Sequence, residues 1–394
     1  MGINHKQLVE SYKLDKDKTI VGLKNAIESR EIKPTEFDFG KLFIDCFGWN
    51  EFVACKEGRS SPQEVFKKVE EGDAGVNTSA FQNISGQIVY SATLEKYGSA
   101  EFTIAKMIPE VKALILDGEK MAGITEMGDV SAFRKEGDPY QEAGVGEDWI
   151  YTPPVPDYGR IVSVTWEAVF NDRTGQLLER CGDVGHWIGY GEEVAAIDCI
   201  IDENVTAHRY NWRTAGQIAT YNDNTGSHTW DNLAATNTLV DWTNLNTAEQ
   251  LFNQMTNPFT GTPIMIEPKH LIVSKQNEQT ARRIINATEI KATTPGYATS
   301  ANPMQATQAN PYLNKYEVVT SQLFYARMAT KTSWYLADIG KLAKRMVAEP
   351  LNVVQAPSNS TADFERRIVS RYRANKRYAH VTVQPRASVK STVA

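Results

Sequence analysis

Apolar positions in the first part of the chain recur at helical spacing. Leu8, Tyr12 and Leu14, then Ile20, Leu23 and Ile27, fall among lysines at helix-like intervals, and Pro34 closes the stretch. Ser61-Pro62-Gln63-Glu64 reads as a helix start, with serine as cap, proline at the first helical position and an acid in the first turn. Val65, Phe66 and Val69 supply its apolar face, and Phe81, Ile84, Ile88 and Leu94 form a further amphipathic run. Residues 1–110 therefore predict several helices, each too small to make a core alone.

The pattern changes over 111–172. Glycines, acids and prolines crowd into Asp117-Gly118-Glu119, Met127-Gly128-Asp129, Lys135-Glu136-Gly137-Asp138-Pro139 and Gly144-Val145-Gly146-Glu147-Asp148, with Pro153, Pro154 and Pro156 behind them. This excursion holds few large apolar residues, so it contributes little core, and long turn-rich insertions of this kind are usually functional or mobile. Arg160 to Trp166 alternates as a strand. A long helical stripe follows in Leu177, Cys181, Val184, Ile188, Ala195 and Cys199, flanked by Val194, Ile197, Ile201 and Val205, with Asn171 or Asp172 as cap. At 1.5 Å per residue it would reach on the order of 45 Å. Gly182, Gly185, Gly189 and Gly191 each weaken a helix by roughly 1 kcal/mol relative to alanine and predict a kink near Gly189.

Residues 206–345 read as a second domain. Thr247-Ala248-Glu249-Gln250 resembles a capping box opening a helix with Leu251, Phe252 and Met255 on its face. A turn over 257–263 leads to strands Ile264-Met265-Ile266 and His270-Leu271-Ile272-Val273, and Ser274 caps a helix carrying Ala281, Ile284 and Ile285. Asn310 to Phe324 and Ser333 to Ile339 supply further strands. At the C-terminal end, Ile368 to Arg373 and Tyr378 to Pro385 read as two strands joined by a hairpin turn at Ala374-Asn375-Lys376-Arg377. A basic, half-apolar ribbon of this kind must pack on earlier sequence or on another subunit.

Several of these stretches resemble the tailed-phage major capsid proteins. The Phe364-Glu365-Arg366 run, followed by Ile368-Val369, Arg371 and a closing Val383-Gln384-Pro385-Arg386, is similar to the C-terminal end of that family. Phe170 to Gly175 resembles the lead into its spine helix, and Gly261-Thr262-Pro263-Ile264, Pro268 to Val273 and Gln279 to Ile285 resemble its axial domain. The resemblance runs from about Phe170 to Lys390 and is looser before that. It implies a mixed α+β fold of the Hong Kong 97 type: an N-terminal arm with helices (1–110), an E-loop β-hairpin (111–172), the spine helix of a peripheral domain (173–205), an axial domain (206–345) and C-terminal return strands of the peripheral domain (346–394).

The implied function is a major head protein that assembles with itself into pentamers and hexamers of an icosahedral shell around DNA, in a virion built in the host cytoplasm. Portal and possible scaffold or decoration proteins would be its other partners, and packaged DNA would be held non-specifically. Lys135, Arg366, Arg367, Arg371 and Arg373 are the candidate subunit contacts. Some relatives cross-link subunits through a lysine and an asparagine. Lys120 and Lys135 lie in the E-loop region, but no motif matches, so no cross-link site is assigned. An encapsulin-like compartment or gene-transfer particle is the alternative within the fold; a soluble enzyme or carbohydrate-binding protein is the alternative from another class.

Composition agrees with a structured protein. The chain has 394 residues, 41% hydrophobic and 10% aromatic, which is enough for two or three domains with real cores. A net charge of −6 argues against a dedicated DNA-binding protein. Charge is uneven, however. Arg366, Arg367, Arg371, Arg373, Lys376, Arg377, Arg386 and Lys390 cluster against only Asp363 and Glu365, as a solvated contact face or as a DNA-facing patch. No segment has membrane-span length and apolarity, no signal peptide is evident, and Lys6 defeats a myristoylation motif at Gly2, so a cytosolic protein is expected.

Cys46, Cys55, Cys181 and Cys199 show no metal or redox spacing and are expected to be reduced and buried. His5, His186, His208, His228, His270 and His380 form no zinc motif, Gly144-x-Gly146 lacks the rest of a dinucleotide fingerprint, and no nucleophile elbow or phosphate loop occurs. Neither catalytic residues, nor a metal, nor a cofactor is expected. The aromatics between Tyr221 and Trp242 could line a sugar-binding surface or form local core.

Overall fold

The computed structural model describes residues 5–29, 32, 37–57, 59–60, 64–65, 75–99, 101–122, 149–165, 174–213, 216–223, 230–256, 261, 263–293, 305–356 and 368–392. The chain opens with helices α1 (His5–Leu14), α2 (Lys16–Glu28), α3 (Phe39–Phe47), α4 (Trp49–Lys56) and α5 (Gly75–Tyr97). Aspartates start two of them: Asp15 accepts from the Lys18 N–H at 3.2 Å and Asp38 from the Gly40 N–H at 2.8 Å, satisfying donors that a helix end leaves open. Next come α6 (Ile104–Met107), β1 (Glu110–Lys112), β2 (Lys120–Ala122), β3 (Trp149–Tyr151), β4 (Asp157–Thr165) and α7 (Thr174–Ile201). The following stretch holds β5 (Tyr210–Asn211), β6 (Gln217–Ile218), β7 (Leu233–Ala234), α8 (Trp242–Asn253), β8 (His270–Ser274), α9 (Glu278–Asn286), β9 (Glu289–Thr293), β10 (Gln305–Ala309), β11 (Glu317–Ser321) and α10 (Gln322–Arg327). The last elements are β12 (Trp334–Ala337), α11 (Ile339–Leu342), β13 (Ala343–Gln355), β14 (Ile368–Thr382) and β15 (Ser388–Ser391).

These elements form two units, each made of discontinuous chain. The first takes Met1–Phe102, Pro156–Glu192 and Glu349–Tyr378. Its core gathers Val9, Tyr12, Leu42, Phe43, Phe81, Ile84, Ile88, Cys181 and Tyr372. The glycines of α7 turn out to be contact positions. A Cβ at Gly185 would run into the Thr93 carbonyl, one at Gly189 would lie 2.9 Å from the Phe102 ring, and one at Gly182 would lie 2.7 Å from the Lys96 side chain. Spaced three and four apart, they share one face and let α7 approach α5 more closely than any larger residue allows. The helix is continuous over Thr174–Ile201, through Gly189. In the same unit β14 lies between β13 and β4, antiparallel to β4, with Tyr372 opposite Val162 and Arg373 opposite Ile161.

The second unit takes Thr103–Val155, Glu193–Ala348 and Ala379–Ala394. Its centre is a five-stranded sheet in the order β11-β8-β12-β15-β7. Ile272, Tyr335 and Ala337 face a cluster with Ile197, Ile200, Phe324 and Ile339, while Leu271, Val273, Trp334 and Leu336 face α8 and α9 through Leu245, Phe252, Ala281 and Ile285. Both faces are covered, which is why β8 and β12 appear in the sequence as continuous apolar runs. A smaller cluster joins Ile150, Val155, Tyr210, Trp230, Met346 and Val381.

Five local expectations are corrected. The hairpin at Ala374–Arg377 does not exist: β14 runs continuously through it, because Ala374, Asn375 and Lys376 are interior ladder positions rather than a polar turn. The box at Thr247 is not the start of its helix. Asp241 caps α8 six residues earlier and closes a box with Asn244, leaving the Thr247 hydroxyl to bond back to the Thr243 carbonyl. Ile264 to Ile266 forms no strand, and Asn310 to Phe324 shortens to β11 followed by α10. Ser274 ends β8 and donates to the Lys331 carbonyl, so α9 starts at Glu278 without it. Asn171, Asp172 and most of 61–69 lie outside the described residues. The four cysteines are buried, as expected, and burial pushes the Cys46, Cys181 and Cys199 thiols up to about 12.

Candidate subunit-contact surface

Strand alternation sorts the basic residues of β14 into two environments. Arg371, Arg373 and Arg377 point to one face, Tyr372, Ala374, Lys376 and Tyr378 to the other. On the outward face Arg373 is exposed opposite Ile161, itself 65% exposed, and Arg371 is half-buried opposite Ser163. Arg377 stands 3.6 Å from both Asp157 and Glu349, so its charge is matched within the subunit. Among the described residues Arg373 forms no ion pair. Guanidinium groups held this way offer paired donors of the kind that carboxylates accept. Of the sequence-predicted contacts, Arg371 and Arg373 are brought together on this face, whereas Lys135, Arg366 and Arg367 lie outside the described residues.

The inward face of β14 holds a charge that the sequence hid. Lys376, whose side chain is 6% exposed, places its Nζ 2.8 and 2.7 Å from the two carboxylate oxygens of Glu192 and 2.5 Å from the Tyr97 hydroxyl. Tyr97 donates to Glu192 as well, at 2.5 Å. The ammonium also lies over the Tyr97 and Tyr378 rings at 5.0 and 5.6 Å, and burial, reinforced by Glu192, raises the Tyr378 phenol. A buried charge persists only when paired and hydrogen-bonded, and this one has both. The arrangement ties α5, α7 and β14 at one point.

The second unit has comparable anchors. Glu193 accepts from the Ile104 and Ala105 N–H groups at 2.9 and 2.8 Å, while burial raises its carboxyl above the ordinary range. Asp198 takes a two-point contact from Arg327 at 2.8 and 2.6 Å. Asp202, just past α7 with φ 51°, accepts from Arg209 Nε at 2.8 Å and from the Thr220 N–H at 2.8 Å, and lies 3.2 Å from His208 Nε2. Burial works against its charge, yet the bonds from His208, Arg209 and Thr220 hold the carboxyl below its usual range.

Among the described residues, no group of three or more His, Cys, Asp or Glu side chains could hold a metal ion, and no helix is long and apolar enough to cross a membrane. Trp230, a candidate sugar-stacking ring, is core, with the Arg386 guanidinium 4.7 Å from its centroid. His228 lies outside the described residues.

The model of the phage capsid protein family matches residues 151–391, more than half of the chain. No curated protein matches it. Among solved structures, the chain is similar to the bacteriophage PhiM1 mature capsid at 14% identity and a TM-score of 0.44, over 75% of this chain and 88% of that one. Gordonia phage Cozz is similar at 11% and 0.44, over 75% and 87%. The capsid of an empty GTA particle is similar at 11% and 0.43, over 75% and 91%.

Proposed function

Because the chain belongs to the phage capsid protein family, we propose that it is the major head subunit of a tailed bacteriophage or prophage, copies of which assemble into the pentamers and hexamers of an icosahedral shell around double-stranded DNA. The family match over residues 151–391 carries this reading. A mixed α+β subunit of the Hong Kong 97 type is its structural form, with α7 as spine helix within 173–205, an axial domain over 206–345, an E-loop over 111–172, an arm over 1–110 and return strands over 346–394. The work is geometric rather than catalytic. Heterologous contacts that close into rings hold the shell, and each can be weak because many act together.

The outward face of β14 is a subunit contact in this reading, with Arg371 and Arg373, joined by Arg366, Arg367 and Lys135, meeting carboxylates of neighbouring copies. The net charge of −6 supplies acidic partners in number. The virion shell is its site of action, reached by assembly in the host cytoplasm with a portal and possible scaffold or decoration proteins. Purified full-length protein should elute as megadalton material and show closed shells by negative-stain microscopy. A protein that stays monomeric or forms only small oligomers at high concentration overturns the proposal.

A further inference from the structure

Residues 120–122 and 149–151 form a two-stranded ribbon only three residues long. Lys120 pairs with Tyr151 and Ala122 with Trp149, and the ladder is prolonged by the Thr152 N–H on the Glu119 carbonyl at 2.9 Å and the Val155 N–H on the Leu116 carbonyl at 2.8 Å. The chain that leaves at Ala122 therefore returns beside it at Trp149, and the ribbon sets the direction of departure. So short a ribbon does not hold its own orientation. It is held by the corner at Trp212 and Arg213.

Three kinds of contact meet there. Ile150, fully buried, bridges to Trp212, and the Arg213 N–H donates to the Trp149 carbonyl at 3.3 Å. The Arg213 guanidinium lies 5.4 Å from the Trp149 ring centroid and 5.2 Å from that of Trp212. The Lys120 ammonium lies 5.2 Å from the Trp149 ring and 5.7 Å from that of Tyr151. Trp149 is thus the common ring of two cations, one from its own ribbon and one from the corner. A planar guanidinium can serve two rings at once, as a point-like ammonium cannot. Arg213 does so from φ 49°, a left-handed conformation that a long side chain adopts only where its surroundings enforce it.

We propose that Arg213 and Trp149 are the positioning residues of the inter-subunit loop: their stack fixes the direction in which the chain departs at Ala122, and with it the curvature at which copies join. This rests on the reading of the 111–172 region as an inter-subunit loop. The stack holds the ribbon from within its own subunit, so its loss should spoil the uniformity of shells more than the stability of the subunit.

The test uses the full chain with Arg213→Gly, which suits the positive φ while removing the stack, together with Trp149→Ala and Trp149→Phe. Melting of unassembled subunit and the diameter distribution of particles are measured side by side. The expected result is that Arg213→Gly melts close to the parent yet gives at least tenfold fewer particles of the parental diameter, with open or irregular ones in their place. Trp149→Ala should do the same, and Trp149→Phe, which keeps a ring, should restore the single diameter. Parental particles from Arg213→Gly, or a failure of Trp149→Phe to rescue, overturns the inference while leaving the capsid reading intact. A parent chain that forms no shells overturns both.

Discussion

Lys376 carries a formal charge into an interior where Glu192, Tyr97 and Tyr378 receive it. Removing one partner of such a pair leaves the other buried and unmatched, which costs about 3–5 kcal/mol, whereas replacing both by apolar groups is often close to neutral. Lys376→Met should therefore lower the unfolding free energy of the subunit, read from urea titration, by an amount in that range. Lys376→Met combined with Glu192→Leu should recover most of it. If the double variant is as unstable as the sum of the two single ones, the pair is not the unit that matters.

Asp202 makes the opposite kind of statement, because its titration is visible to pH. Its folded carboxyl lies below the ordinary value of 3.8, so the native state binds its proton less readily than the unfolded chain does. The stability it contributes is fully present above about pH 5 and is lost as the pH falls below 4 toward the folded value. Hydrogen bonds to a charged group contribute about 1.5–3 kcal/mol. Asp202→Asn should be destabilised by that order at pH 7, with the gap to the parent closing between pH 5 and 3 in denaturant titrations. A gap that does not change with pH would assign the loss to shape rather than charge.

At the scale of elements, α7 shows what the sequence made legible and what it concealed. Its existence, length and apolar stripe follow from spacing alone, since a period near 3.6 over so many residues has one structural meaning. Propensity speaks only of the isolated helix, whereas Gly182, Gly185 and Gly189 answer to a neighbour about ninety positions earlier (Lys96, Thr93 and Tyr97). Gly185→Ala should cost about 1–3 kcal/mol by overpacking against the Thr93 carbonyl. Gly175→Ala, exposed with open space around its Cβ, should instead gain up to about 1 kcal/mol from propensity. Thermal melting of the two variants checks the opposite signs.

The same limit explains β14 and α8. Ala374-Asn375-Lys376-Arg377 has turn-like polarity, and distant partners, Glu192 and Tyr97 among them, make Lys376 an interior residue. At α8 the true start, Asp241 with Asn244, was readable. The box-like run six residues on, at Thr247, falls inside the helix that Asp241 and Asn244 start.

At the scale of the whole molecule, charge on the outward face and the loop between Ala122 and Trp149 are expected to act in assembly and not in folding. The double change Arg371→Ala with Arg373→Ala should leave a cooperatively melting subunit, since neither side chain belongs to the core, while reducing particle yield. Binding of the unassembled subunit to DNA should be weak, indifferent to sequence and steeply lowered by salt. Undiminished shell yield would remove the two arginines from the contact. For the loop, the sequence predicts an excursion over 111–172 that contributes little core, but Ile150 and Val155 are core residues beside Trp230 and Met346. The deletion that tests assembly alone is 123–148, closed by two glycines between Ala122 and Trp149. It should melt near the parent and form no shells.

The place of β15 in the five-stranded sheet governs when the subunit can become itself. β15 is wedged between β12 and β7, so β12 waits for residues about fifty positions further on and β7 for residues about one hundred and fifty further on. At translation speeds of about 5–20 residues per second, those delays come to roughly 3–10 and 8–30 s. Throughout that interval the nascent chain carries an open sheet edge flanked by Trp334 and Leu336, and cannot present a finished surface to another copy. Until Ser391 is made, the sheet order β11-β8-β12-β15-β7 stays open between β12 and β7.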